Sequence, residues 1–179
     1  GGSLNAQLSS GAAAADGLAV RHQGWGAGQV GVSGDTLSYE GVPIGTITGS
    51  GSWVLGVVFG PDASLEAVQA AARAIALDNG SQAVASGVRV VRLVLDDGDG
   101  GTSSPVFRGI RVTGVNDAPV ITTPAAAGSA LVAIDENTLD VTTVRATDAD
   151  GDGLAFRIAG GVDAALFAID ARTGKLSFV

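Results

Sequence analysis

The sequence has no cysteine, one histidine, and only eight aromatic residues: two Trp, one Tyr and five Phe. Without cysteine, disulfide frameworks and thiolate-held zinc or iron–sulfur centres are excluded. With His22 as the sole imidazole, His-rich metal sites are excluded and a Ser–His triad is disfavoured. Basic residues are also scarce, ten against eighteen acidic, for a formal charge of −8. That balance argues against nucleic acid, whose phosphates require a basic face. No apolar run approaches the length that spans a bilayer. The opening "GGSLNAQLSSGAAAADG" lacks the basic n-region and apolar core of a signal peptide. The chain is therefore either intracellular or a piece of something longer, and we expect the second.

What is abundant is glycine, 28 residues, with 46% apolar residues dominated by Val, Ala, Leu and Ile, enough for an aliphatic core. The 179 residues leave room for one large domain or two small ones. Short apolar runs end in turn residues every 8–12 positions or so, the pattern of an all-β sandwich. "GLAVRHQG" (17–24), "GQVGVSG" (28–34), "TLSYEGVPIGTITGSG" (36–51) and "SWVLGVVFG" (52–60) read as strands, with "EGVP" turning a hairpin. One segment breaks the pattern. "PDASLEAVQAAARAIALDNG" (61–80) places Leu65, Val68, Ala72 and Ile75 at helical spacing behind a cap at Ser64 or Asp62. It predicts one amphipathic helix near 64–77, stopped by "DNG". Residues 87–115 predict a hairpin with "DDGDGG" at its turn, Val88, Val90, Leu93 and Leu95 apolar, and Arg89 and Arg92 outward.

"NDAP" (116–119) reads as a linker, because Pro119 cannot continue a ladder. The domains implied are a β-sandwich module over 1–116 and a shorter module over 117–179. In the second, strands are expected at about 130–134, 139–147, 154–159, 165–169 and 174–179, with "DARTG" turning the last pair. Five strands fall short of a seven-strand sandwich, so this module reads as partial.

The densest chemistry lies in "ATDADGDGLAF", where Asp148, Asp150 and Asp152 alternate and Gly153 follows. This is the D-x-D-x-D-G opening of an EF-hand loop, yet the position requiring a bidentate Glu holds Ala159. The residues around Ala159 alternate as a strand does, so the EF-hand is rejected.

Taken together, "VNDAP", "DEN" (135–137), "TDAD" (147–150) and "LFAIDARTGKLSF" resemble the cadherin-like modules of large bacterial surface and secreted proteins, including repeats-in-toxin adhesins. Residues 87–179 carry most of the resemblance. It implies an all-β fold of immunoglobulin/cadherin-like Greek-key β-sandwich type with one inserted α-helix, followed by a partial second sandwich module. It also implies calcium shared between an exit linker and the D-x-D loop of the next module. By that mapping Asn116 and Asp117 lie on the linker and Asp148, Asp150 and Asp152 at the loop. Asp97 with Asp99, and Glu136, would serve further calcium sites completed by neighbouring modules. Departures from the family linker are Gly114 and Ala118, where an Asp and an Asn are usual, so one ion rather than a cluster is expected.

Each candidate has a plainer alternative: a solvated acidic turn for 148–152, a self-bonded hairpin turn for 96–101, and an unliganded surface acid for Glu136. Trp25, in a Gly-rich loop, could stack on a sugar or pack on a strand. "GWGAG" and "GTITGSG" are not phosphate loops, since neither opens a helix and no Lys follows. The expectation is a non-enzymatic, calcium-stabilised adhesive repeat of an extracellular or bacterial cell-surface protein. Its partners would be neighbouring modules of the same parent chain, and surface polysaccharide or a host or substratum ligand. Nucleic acid and membrane insertion are not expected. A carbohydrate-binding module, or an accessory β-sandwich of a secreted hydrolase, is the alternative.

Overall fold

In "SLNAQLSS", Leu4, Ala6 and Leu8 alternate with polar residues, and all three are buried. They form β1 (Ser3–Ser10), a strand the turn-based pattern does not single out, and it lies inside the main sheet. The computed structural model describes residues 1–124 and 129–179, which divide into two units, Gly1–Gly114 and Val115–Val179.

In the first unit β1 is followed by β2 (Asp16–Val20), β3 (Val30–Ser33), β4 (Thr36–Tyr39), β5 (Val42–Thr48) and β6 (Val54–Phe59). The helix α1 (Leu65–Ala74), β7 (Ile75–Asn79), β8 (Gly87–Asp96) and β9 (Val106–Val112) complete it. Seven strands form one antiparallel sheet in the order β3-β4-β5-β6-β1-β8-β9, while β2 and β7 pair separately. From β1 the chain crosses through β2 to the far edge at β3 and meanders back to lie beside β1, a Greek-key winding. One core joins both sheets and the helix, with Leu18, Leu37, Leu55, Val30 and Val57 fully enclosed. Each such side chain contributes about 1.5–3 kcal/mol by leaving water. The unit is an all-β sandwich with one helix, as expected.

The "EGVP" turn is where the sequence puts it. Glu40 and Gly41 have φ of 53° and 81°, a two-residue turn whose twist matches the paired strands β4 and β5. The Ser64 cap is also borne out, since its Oγ accepts the Ala67 N–H at 3.2 Å.

The helix itself differs from expectation in length and face. It ends at Ala74, and Ile75 turns extended (φ −64°, ψ 126°) to begin β7. Its buried face is Ala67, Ala71 and Ala74, while Leu65 is 75% exposed. The reason is non-local. Leu18 and Val20 of β2 need a partner strand, and Leu77 and Ile75 pair opposite them. The outward placing of Arg89 is overturned too: it is 2% exposed, on the same inward parity as buried Val91. Val88 and Leu95 are the exposed ones.

The second unit contains β10 (Val120–Thr123), β11 (Asp140–Thr143), β12 (Arg145–Thr147), a 3-10 turn at Ala164–Leu166, β13 (Phe167–Ile169) and β14 (Lys175–Phe178). β10 pairs with β12, and β11-β14-β13 form a second antiparallel sheet. β10 is unexpected, and 130–134 and 154–159 are not strands. Leu131 is fully exposed, and glycines at 151, 153, 160 and 161 flank the second stretch, which reaches the neighbouring turn through the Phe156 N–H to Ala171 carbonyl bond at 2.9 Å. "DARTG" does turn the last pair: the Asp170 carboxylate accepts the N–H groups of Arg172 and Thr173 at 2.9 and 2.7 Å. Phe167 and Phe178 stack across that pair, centroids 4.9 Å apart. Among the described residues of this unit, Gly174 alone is buried, so no apolar side chain is fully enclosed.

Candidate functional site

The acidic loop sits at the end of β12, and the pairing of β10 with β12 explains its neighbour. Val120 lies opposite Thr147, so the residues just before β10 arrive beside those just after β12. The Asp117 N–H donates to Asp150 Oδ2 at 2.6 Å, and the Asn116 side-chain amide donates to the Asp117 carbonyl at 2.8 Å. The structure thus brings together Asp117 and Asp150, residues 33 positions apart.

Within the loop Asp148 is the organiser. Its Oδ1 accepts the N–H groups of Asp150 and Asp152 at 2.9 and 3.2 Å, and its carbonyl accepts that of Gly151 at 3.3 Å. Gly151 takes φ 77°, a conformation that suits glycine. Such Asx bonding is what Asp favours in turns. Asp148 and Asp150 are half-buried and Asp152 and Asp117 exposed. Among the described residues the ion pairs are Asp16–Arg89 and Asp140–Lys175, so no basic side chain forms an ion pair with any of these four acids.

Whether this set suits calcium can be judged from its donors. All are hard oxygens, carboxylates plus the Asn116 carboxamide, as calcium prefers. Asp148 has one oxygen committed to the backbone and Asp150 has one on the Asp117 N–H, which leaves each with a second. In kind, the donors fit. In arrangement they are incomplete, because among the described residues no three acidic or His side chains converge as a metal-holding group.

The other expected positions lie elsewhere. Asp97 Oδ1 accepts the N–H groups of Asp99 and Gly101 at 2.8 and 2.9 Å, bonds that hold its carboxyl below the usual value. Asp96 Oδ1 takes the Gly98 N–H, so this loop is a self-bonded turn closing β8 and β9. Glu136 is exposed at a turn with Asn137 at φ 63°, and no hydrogen bond or ion pair ties it to the 148–152 loop.

The site that sequence reasoning missed is in the first unit. Asp16 is 3% exposed; its Oδ2 accepts Arg89 Nε at 2.8 Å and the Ala13 N–H at 2.6 Å. Its Oδ1 accepts Asn79 Nδ2 at 2.7 Å. These bonds tie β2, β7 and β8 together across the two sheets. Arg89 Nη2 is buried with no partner among the described residues. The available signal was parity: Arg89 alternates with Val91 and Leu93 on the inward side.

The chain matches no protein-family model, and no curated protein matches it. Among the described residues, no helix is long and apolar enough to cross a membrane.

Proposed function

We propose that this chain is a calcium-stabilised structural and adhesive repeat of a bacterial cell-surface or secreted adhesin, with a mechanical rather than a catalytic role. The observation that carries the reading is the Asp117 N–H bond to Asp150, which fastens the linker onto the acidic loop. A cation there would be held by Asp148, Asp150 and Asp152 with Asp117 and Asn116. It would offset acids that form no ion pair among the described residues and lock the linker against the loop, so that successive modules of the parent chain form a stiff rod. Extracellular calcium modules commonly bind at about 10⁻⁴ to 10⁻³ M. At roughly 100 times its dissociation constant a bound ion adds about 2.7 kcal/mol. For a unit in which no apolar side chain among the described residues is enclosed, that is a large fraction of the stability available.

The test is thermal unfolding with calcium and with chelator, on the native chain and on Asp148→Asn/Asp150→Asn. The carboxamides keep a hydrogen-bond acceptor for the local N–H groups while removing the charge. A calcium-dependent rise in midpoint that the double variant loses supports the proposal. Equal midpoints with calcium and chelator in the native chain would refute it.

A further inference from the structure

Gly31 of β3 and Ser38, opposite it on β4, lie on the strand faces that alternate with core-facing Val30 and Leu37, yet both are buried. The cover at Gly31 is Trp25, whose six-membered ring rests where a Cβ would otherwise be. The same indole is 49% exposed. Covering Gly31 therefore leaves about half of the residue's surface in water.

The loop presenting it is unusually well tied. The Gly26 N–H donates to Gln29 Oε1 at 2.8 Å and the Gly28 N–H to Glu40 Oε1 at 2.6 Å. The Val30 N–H donates to Gln23 Oε1 at 3.0 Å, and the Val32 N–H to His22 Nδ1 at 3.0 Å. His22 also meets the indole edge-on, ring centroids 5.2 Å apart at 66°. Because His22 Nδ1 accepts, its neutral ring carries the proton on Nε2 and offers a donor next to the indole. Gln29 keeps its amide N–H groups and Glu40 its second carboxylate oxygen, each on a side chain already fixed through its other oxygen.

An exposed apolar plate in a loop that also carries fixed donors and acceptors suits a ligand with a flat C–H face and peripheral hydroxyls. We propose that Trp25 is the stacking platform of a subsite for neutral pyranose sugars, with His22, Gln29 and Glu40 orienting the hydroxyls. Glu40 and the net charge of −8 disfavour acidic polysaccharides. This site is independent of the calcium loop.

The experiment uses the full chain carrying Trp53→Phe, which makes Trp25 its sole indole. Its emission is titrated with neutral oligosaccharides of glucose, xylose, mannose and galactose. The expected result is a saturable change with at least one of them, at a dissociation constant of about 1 mM for a single platform. Trp25→Leu, made in the Trp53-containing chain and followed by retention on the same sugar, removes the binding; Trp25→Phe, which keeps cover over Gly31, retains it weakened. Gly31→Ala drives a methyl into the ring and lowers affinity severalfold without touching any polar group. The proposal is overturned if no oligosaccharide gives a saturable change up to about tenfold that concentration, if Trp25→Leu still binds, or if Trp25 resists quenching by acrylamide and so has no open side.

Discussion

Replacing Asp16 by Asn tests the polar centre that joins the two sheets. The carboxamide is nearly isosteric, so packing is retained and hydrogen bonding alone changes. With its oxygen at the Oδ2 position, Asn can still accept from the Ala13 N–H and Arg89 Nε. Its NH₂ then faces the Asn79 amide, which cannot turn over without surrendering the Ser81 N–H held by its own oxygen. Arg89, 2% exposed, is left buried without a counter-charge. Breaking a buried pair from one side costs about 3–5 kcal/mol, which for a unit of this size lowers the melting temperature by roughly 10–20 °C. Acid supplies the second reading. Burial pushes the Asp16 carboxyl up, but the Ala13 N–H, the Asn79 amide and Arg89 outweigh it and hold the group below its ordinary 3.8. A carboxyl depressed by folding stabilises fully above about pH 4 and loses that contribution as pH falls through its folded value. Urea unfolding from neutral pH downward should therefore show native and Asp16→Asn curves far apart at neutrality and converging at the acid end. A difference under about 1 kcal/mol at neutral pH, the range of an exposed pair, would refute the reasoning.

Two smaller perturbations follow. Ser64→Ala removes the acceptor of the Ala67 N–H and should cost about 0.5–2 kcal/mol, read as a lower urea midpoint for the first unit; an unchanged midpoint would mean that the packing of Ala67, Ala71 and Ala74 holds the helix start alone. Asp170→Ala removes the acceptor for the N–H groups of Thr173 and Arg172, bonds that keep the Asp170 carboxyl below its ordinary value. The resulting loss of stability should be confined to residues 115–179 and should vanish as pH falls through that depressed value, which amide exchange followed by NMR would resolve.

The parts of the fold legible in the sequence are those decided within a few residues. The Glu40–Gly41 turn, the Ser64 cap and the Asp170 turn each depend on one or two side chains acting on adjacent backbone. What was not legible depended on distant partners. β1 alternates Leu4, Ala6 and Leu8 but has no β-branched residue, so its propensity is weak; pairing with β6 on one side and β8 on the other makes it a strand. Ile75 fits the helical spacing before it equally well, and only the partner strand 16–20 decides that it leaves the helix. Arg89 follows the same logic. An Arg in an apolar run reads as outward until a carboxylate 73 residues away is placed beside it.

The candidate site divides along the same line. The spacing of Asp148, Asp150 and Asp152 already carries its own turn, since an Asp followed by free N–H groups two and four residues on can close an Asx loop. What the spacing leaves open is how many carboxylate oxygens that turn consumes, and the answer governs what a cation could find there. Nor does it reveal the ladder of β10 on β12 that delivers Asp117 to Asp150. The two units also differ in what holds them. Among the described residues the buried apolar ones all lie in the first, between Leu4 and Val91, so its stability rests on side chains removed from water. The described residues of 115–179 rest on short ladders, Asx turns, a stacked Phe pair and the exposed Asp140–Lys175 pair, each worth little against the chain entropy it must offset. A given increment of binding energy therefore changes the folded population far more in the second unit than in the first. The acids of the 148–152 loop lie in the unit where such an increment has the largest effect.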